Sequence, residues 1–307
     1  MQTTIRSSIS FTGKGLHSGT RARMTVHPAS AEYGIWFRRT DVIGRDAMVR
    51  AHWASVSNAK LCTVISNEAG VSVSTIEHVM AALAGCGIHN ALIEIDGPEV
   101  PILDGSSAPF AAGFVARGIR ELDADLHVFE VLKPVEVRDG AAFARLEPGR
   151  TLEIEFHIDF ADRAIGRQDK RLSMANGAFL RELSDSRTFC RQADVDAMQA
   201  MGLALGGEPG ENAVVFDGDK VLSPGGLRHA DEPVRHKMLD ALGDLALAGA
   251  PILGRYTGHR AGHAMTNRLL RALFADPAAY RIVKLDSDRR QSLPGAGIGL
   301  HDIHAVA

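Results

Sequence analysis

Arg235-His236-Lys237-Met238-Leu239-Asp240-Ala241-Leu242-Gly243-Asp244 reads as one turn after another of an amphipathic helix. His236, Asp240 and Asp244 fall four residues apart on one stripe, while Met238, Leu242 and Leu245 fall largely on another and read as core. The start signal lies just upstream, where Asp231 and Glu232 precede Pro233, a residue favoured at the first helical position. An imidazole and a carboxylate one turn apart suit a divalent metal, zinc above all. They equally suit a solvated face carrying an i, i+4 ion pair, so the chain must supply a third donor before a metal site can be claimed.

Outward from that helix, which spans about Glu232 to Ala248, the second half reads as strands followed by helices. Strands are expected near Phe129–Val137, Ala142–Leu146 and Leu152–Ile158, with a helix near Asn176–Leu183. Met198 to Val215 is rich in glycine and apolar residues and suits a loop or small insert, and Ala213–Leu222 reads as a hairpin turning near Gly218. Ile252–Tyr256 is a strand and Gly262–Phe274 the last helix. His259 stands four residues before His263, but glycines flank the segment and His259 is read as a surface residue. The tail after Asp286 carries Pro294, Gly295, Gly297 and Gly299 and is expected to be loosely held.

The first half has the same order. Strands are expected over Thr4–Phe11, Ala22–His27 and Gly34–Arg38, broken by Gly13-Lys14-Gly15, Pro28 and Gly34. The Gly-Lys-Gly turn is reminiscent of a phosphate cradle but lacks the spacing of one. Val73–Gly85 reads as a helix, with Ser74 as N-cap and Gly85 as stop. Glu77 is then either half of a Ser-x-x-Glu capping box or a catalytic base, and His78 beside it is a candidate third ligand. Asn90–Ile95 is a strand, and Asp104-Gly105-Ser106-Ser107 caps a helix over about Ala108–Arg117, which gives Asp104 an ordinary turn role. A charged linker, Arg120–Leu126, divides the chain into residues 1–126 and 127–307. Strands before helices in each half argue for an α+β fold with helices packed on mainly antiparallel sheets.

The 307 residues suffice for two ordinary domains, and 45% hydrophobic with 23% charged is a globular balance. A net charge of −3 gives no sign of a general nucleic-acid binder. Three scattered cysteines, Cys62, Cys86 and Cys190, read as reduced thiols of a cytoplasmic protein. No signal peptide opens the sequence and no apolar run is long enough to span a bilayer.

Glu77-His78, Thr188-Phe189, His236-x-x-x-Asp240 and Gly262-His263, taken together, resemble the zinc amidases of lipid A biosynthesis, the UDP-3-O-acyl-N-acetylglucosamine deacetylases. The likeness runs through Gly13–Gly19, Ser74–His78, Pro101–Ser106, Val234–Asp240 and Gly258–Ala264 and covers nearly the whole chain. It implies two similar α+β domains with the site at their junction, and a βαβ insert around Phe189–Val215 walling an acyl channel. It implies zinc held by His78, His236 and Asp240 with a fourth position open, Glu77 as base and His263 as acid. Iron(II) also suits that donor set. The segment Gly207–Asn212 is slightly longer than the usual form.

Chemistry gives the remaining residues expected roles. Asp244 would orient His263 and favour its charged form, and the Thr188 hydroxyl would donate to the tetrahedral oxyanion. Lys237 suits a diphosphate. His17 would face the nucleotide or the acyl mouth, and Leu16 and Phe189 would touch the acyl chain or belong to the core. The expected partner is the UDP-acyl-sugar alone, met by a monomer. The rival from another class is a zinc-stabilised binding protein without activity.

Overall fold

The computed structural model describes residues 1–285 and 287–303. The stretch expected as one strand over Thr4–Phe11 divides into β1 (Thr3–Ile5) and β2 (Ile9–Lys14). β3 (Arg21–Pro28), β4 (Ile35–Arg39) and β5 (Met48–Arg50) follow. β6 (Val56–Asn58), β7 (Val64–Ser66) and β8 (Ser72–Val73) form a small separate sheet ahead of helix α1 (Glu77–Gly85). β9 (Ala91–Ile95), α2 (Ala108–Arg117) and β10 (Ile119–Glu121) close the first half.

The second half opens with β11 (His127–Val131) and β12 (Val135–Asp139), which the sequence reading had joined across Lys133-Pro134. β13 (Ala142–Glu147), β14 (Leu152–Asp159) and β15 (Arg167–Ser173) follow. Then come α3 (Ala178–Glu182), β16 (Phe189–Arg191), α4 (Gln192–Ala200), β17 (Val214–Asp217) and β18 (Lys220–Val221). α5 (Glu232–Ala246), β19 (Ile252–His259), α6 (His263–Ala275), β20 (Tyr280–Lys284) and α7 (Ser287–Arg290) complete the order.

The two halves share one topology. The first sheet runs β2-β3-β9-β4-β5, with β9 antiparallel to β3 and parallel to β4. In the second, β19 is likewise antiparallel to β13 and parallel to β14, giving β12-β13-β19-β14-β15. β1 pairs antiparallel with β10 as β11 does with β20, but β11 also pairs parallel with β19 and so joins the main sheet, whereas β1–β10 forms a separate two-stranded sheet. The extra elements, β6–β8 in one half and α3–β18 in the other, interrupt the pattern at the same point, between the fifth strand and the helix before the central strand. Alternation drives the sheet packing: in β14, Leu152, Ile154, Phe156 and Ile158 are buried while Glu153, Glu155, His157 and Asp159 point the other way. The fold is thus α+β, as expected.

The halves meet where α1 packs on α5, its counterpart by topology. Gly243 makes that approach feasible, because a Cβ there would lie 2.1 Å from the Glu77 carbonyl oxygen. The contact places the start of α1 beside the polar stripe of α5.

Other sequence expectations need correction. α1 begins at Glu77, not at a capping box: the Ser74 hydroxyl donates to the Pro98 carbonyl, and Thr75 sits at φ 57°. Where composition alone suited a loop or small insert, the structure has β16–α4–β17 with β16 and β17 parallel, the βαβ unit that the resemblance implied. His259 is the last residue of β19, stacked between the rings of Phe143 and His157, and is half-buried rather than a surface residue. The described tail is held: Leu293 and Asp302 are buried and Asp302 pairs with Arg181. Residues 304–307 of that tail lie outside the described residues.

Candidate metal centre and active site

α1 and α5 bring three donors together that lie far apart in sequence. His78 Nε2 is 3.7 Å and His236 Nε2 3.3 Å from Asp240 Oδ1. One donor atom from each of the three lies within 4.8 Å of the others. A tetrahedral ion with bonds of about 2.0–2.2 Å spaces its ligands about 3.4 Å apart, so the cluster has the right size. Asp240 Oδ1 is buried with no hydrogen-bond partner among the described residues, a costly state for a carboxylate unless a cation completes it.

The electrostatics suit the same purpose. Burial, with His236 adjacent, pushes His78 down to about 3, so its ring is neutral and free to donate a lone pair. Burial likewise lowers His236, whose Nδ1–H donates to the Ser186 carbonyl at 3.0 Å and turns Nε2 toward Asp240. Burial alone would raise Asp240, but His236, Lys237 and His263 outweigh it and hold the carboxyl far below its usual range.

Beside the three donors stands an acid–base pair. Glu77 opens α1 and His263 opens α6, with His263 Nε2 3.8 Å from Glu77 Oε1 and 3.9 Å from Asp240 Oδ2. Burial raises Glu77 to about 7 against the pull of His263. Burial would lower His263, but Asp244, Glu77 and Asp240 prevail and raise it to about 9. The closest of those partners is Asp244, whose Oδ2 meets His263 Nδ1 at 2.8 Å. Between those values the pair holds one carboxylate, ready to take a proton, and one imidazolium, ready to give one.

A cavity of about 620 Å³ opens over these groups. Glu77, His78, His236, Lys237, Asp240 and His263 line it, together with Leu16, His17, Thr188 and Phe189. Every candidate site residue named from the sequence therefore reaches the cavity except Asp244, which acts on it through His263. Lys237 Nζ is paired with Asp240 Oδ2 at 2.8 Å, so its ammonium is shared between the carboxylate and the cavity. The βαβ insert supplies an apolar wall, including Val195, Met198, Met201 and Val215.

Two residues that sequence reading passed over hold this site. The Thr63 hydroxyl donates to Asp244 Oδ1 at 2.6 Å while its backbone N–H donates to Glu77 Oε2 at 3.0 Å, fixing both carboxylates. Glu99, buried in the first half, accepts from the backbone N–H groups of His17 and Ser18. No motif marks either residue, since each acts only through contacts that folding creates. Gly13 and Lys14 belong to strand β2 rather than to a turn; the chain turns just beyond, at residues 16–18, where the His17 and Ser18 N–H groups face an internal carboxylate.

Fold and side chains together define the class: an α+β protein built for metal-assisted hydrolysis. The family model described as UDP-3-O-acyl N-acetylglycosamine deacetylase matches residues 2–275. The chain belongs to that family. A protein of Phenylobacterium zucineum (strain HLK1) is 48% identical over 292 residues, covering 95% of this chain and 99% of that protein. One from Anaeromyxobacter sp. (strain Fw109-5) is 45% identical over 287 residues, 94% of this chain and 93% of its own. One from Myxococcus xanthus (strain DK1622) is 44% identical over 298 residues, 97% and 93% respectively. All three are named UDP-3-O-acyl-N-acetylglucosamine deacetylase. No helix among the described residues is long and apolar enough to cross a membrane.

Proposed function

We propose that this protein hydrolyses the acetamide of UDP-3-O-acyl-N-acetylglucosamine, releasing acetate and UDP-3-O-acyl-glucosamine in the committed step of lipid A biosynthesis. The observation that carries the reading is the convergence of His78 Nε2 and His236 Nε2 on the unpartnered Asp240 Oδ1, inside a cavity that also holds Glu77 and His263. Family membership supplies the substrate.

Zinc is the metal this donor set favours, with iron(II) the alternative; either would act as a Lewis acid on the scissile carbonyl and make water a stronger nucleophile near neutral pH. The chain's own groups do the rest. Glu77 accepts the proton of the attacking water as its oxygen adds to the carbonyl carbon. The Thr188 hydroxyl donates to the oxygen that becomes negative. His263 protonates the departing amine as the C–N bond breaks, and Asp244 holds its ring through Nδ1. Lys237 and His17 suit the diphosphate side, and Leu16, Phe189 and the insert the acyl chain. The same reading divides the chain into domains 1–126 and 127–307 and makes it a cytoplasmic monomer.

The test is acetate release from the acylated UDP-sugar by purified protein, before and after chelation and after zinc is restored. Activity that chelation removes and zinc returns, with the fold intact throughout, supports the reading. A chelated protein that unfolds, with no turnover in the zinc form, would mean a structural metal in a binding protein.

A further inference from the structure

Glu99 is an anion sealed inside the wall of the cavity. It is 2% exposed, and its carboxylate takes three hydrogen bonds. Oε1 accepts from His17 N–H at 2.9 Å and from the Thr75 hydroxyl at 2.9 Å; Oε2 accepts from Ser18 N–H at 2.8 Å. The fit leaves no slack, because a Cβ on Gly15 would lie 2.2 Å from Glu99 Oε2.

The segment it grips has work to do. Leu16 and His17 line the cavity, and His17 Nδ1 is buried with no hydrogen-bond partner among the described residues, free for a ligand atom. The same two residues carry the insert: Gly206 N–H donates to Leu16 O at 3.0 Å and Leu205 N–H to His17 O at 3.2 Å. Lys14 adds an ion pair to Glu208 at 2.7 Å. The turn closes on itself through Gly15 N–H to Thr20 O at 2.9 Å and Gly19 N–H to Gly15 O at 3.0 Å, but the N–H groups of His17 and Ser18 are held from behind by the Glu99 carboxylate, while the loop beyond α4 loads the segment in front. Thr75 is less dependent on Glu99, since Ser74 is tied on both sides by Ser74 N–H to Pro98 O and Val100 N–H to Ser74 O.

We propose that Glu99 is a positioning residue for substrate binding, its buried carboxylate filling the main-chain nest of residues 15–18 and so fixing Leu16, His17 and the insert loop against the substrate. Glu99 touches neither the metal donors nor Glu77, so it acts on binding more than on the chemical step. The kinetic part of this claim rests on the deacetylase reading; the structural part does not.

The experiment compares full-length, metal-loaded wild type with Glu99→Ala and Glu99→Gln. Glu99→Ala leaves two backbone N–H groups and a hydroxyl around a hole the size of a carboxylate. Its KM for the acylated UDP-sugar rises about tenfold or more, the weight of at least one charge-assisted hydrogen bond, while kcat and metal content hold. Amide hydrogen exchange at His17 and Ser18 speeds up. Added formate enters the hole, slows that exchange and lowers the KM of Glu99→Ala without affecting wild type. Glu99→Gln keeps one acceptor but sets an NH2 against a donor, so its KM rises less and formate does nothing. Unchanged KM and exchange in Glu99→Ala, a fall confined to kcat, or exchange indifferent to formate would each overturn the proposal. If the alanine variant fails to fold, a glutamine variant with wild-type KM and exchange overturns it. A wild type that lacks deacetylase activity sinks the functional reading instead, and the exchange measurements still judge Glu99.

Discussion

At the scale of single residues, the proposed acid–base chemistry rests on neighbours that set the charge states of Glu77 and His263. Glu77 near 7 must lose its proton before it can accept one, so activity rises through that value as pH increases. His263 near 9 must keep its proton, so activity falls above that value, and the profile is a bell with those limbs. A bound cation moves both limbs to lower pH, which makes the direction of a mutant shift more telling than the limb positions. Asp244→Asn removes a charge that raises both groups, so both limbs move to lower pH and the rate falls. Limbs that stay in place would mean that Asp244 does not tune the pair. Glu77→Gln keeps the metal and loses about a hundred- to ten-thousand-fold in kcat. Near-normal turnover in that variant would remove Glu77 as base. His236, Asp240 and Asp244 were legible in advance because one helix period lines them up. Thr63 was not, because its bonds to Glu77 and Asp244 cross 14 and 181 residues of chain.

Among the elements, the pairing of α1 with α5 assembles the candidate metal donors. Each helix carries too few ligands to hold an ion alone: His78 comes from one, His236 and Asp240 from the other. His236→Ala and Asp240→Ala should therefore lose the metal while circular dichroism stays native, since the apolar core lies on other faces of the helices; full occupancy in both variants would sink the assignment. Gly243→Ala strikes the helix contact itself, where the new methyl meets the Glu77 carbonyl. Overpacking of this kind costs about 1–3 kcal/mol, and here it should also weaken metal affinity by spreading the ligands. A melting temperature and metal affinity equal to wild type would show that the helices need not approach so closely. The helix α1 was foreseen but its start was not, because Thr75 takes a left-handed φ that tertiary contacts impose. α4 escaped notice for a different reason: its few apolar residues, Val195 and Met198 among them, face the cavity rather than a packed core, so the segment carries no full core-facing stripe to read.

For the whole molecule, two copies of one topology place their equivalent helices back to back, and their inserts stand at the same point of each pattern. The duplication cannot be seen in the sequence, because a sheet needs only alternating burial and not particular residues. The second insert gives the candidate metal site an apolar wall. Shortening the acyl chain of the substrate should weaken binding by about 0.8 kcal/mol for each methylene removed from that wall. Equal kinetics for acylated and unacylated UDP-N-acetylglucosamine would leave the wall without a purpose. The proposed function depends on an ion held by His78, His236 and Asp240. The most direct measurement is anomalous diffraction at the zinc edge from crystals of the active, zinc-loaded protein. The account predicts one peak about 2.0–2.2 Å from His78 Nε2, His236 Nε2 and an Asp240 carboxylate oxygen, with a side open to the cavity. A peak bound elsewhere, or no peak in crystals that still turn over substrate, would contradict it.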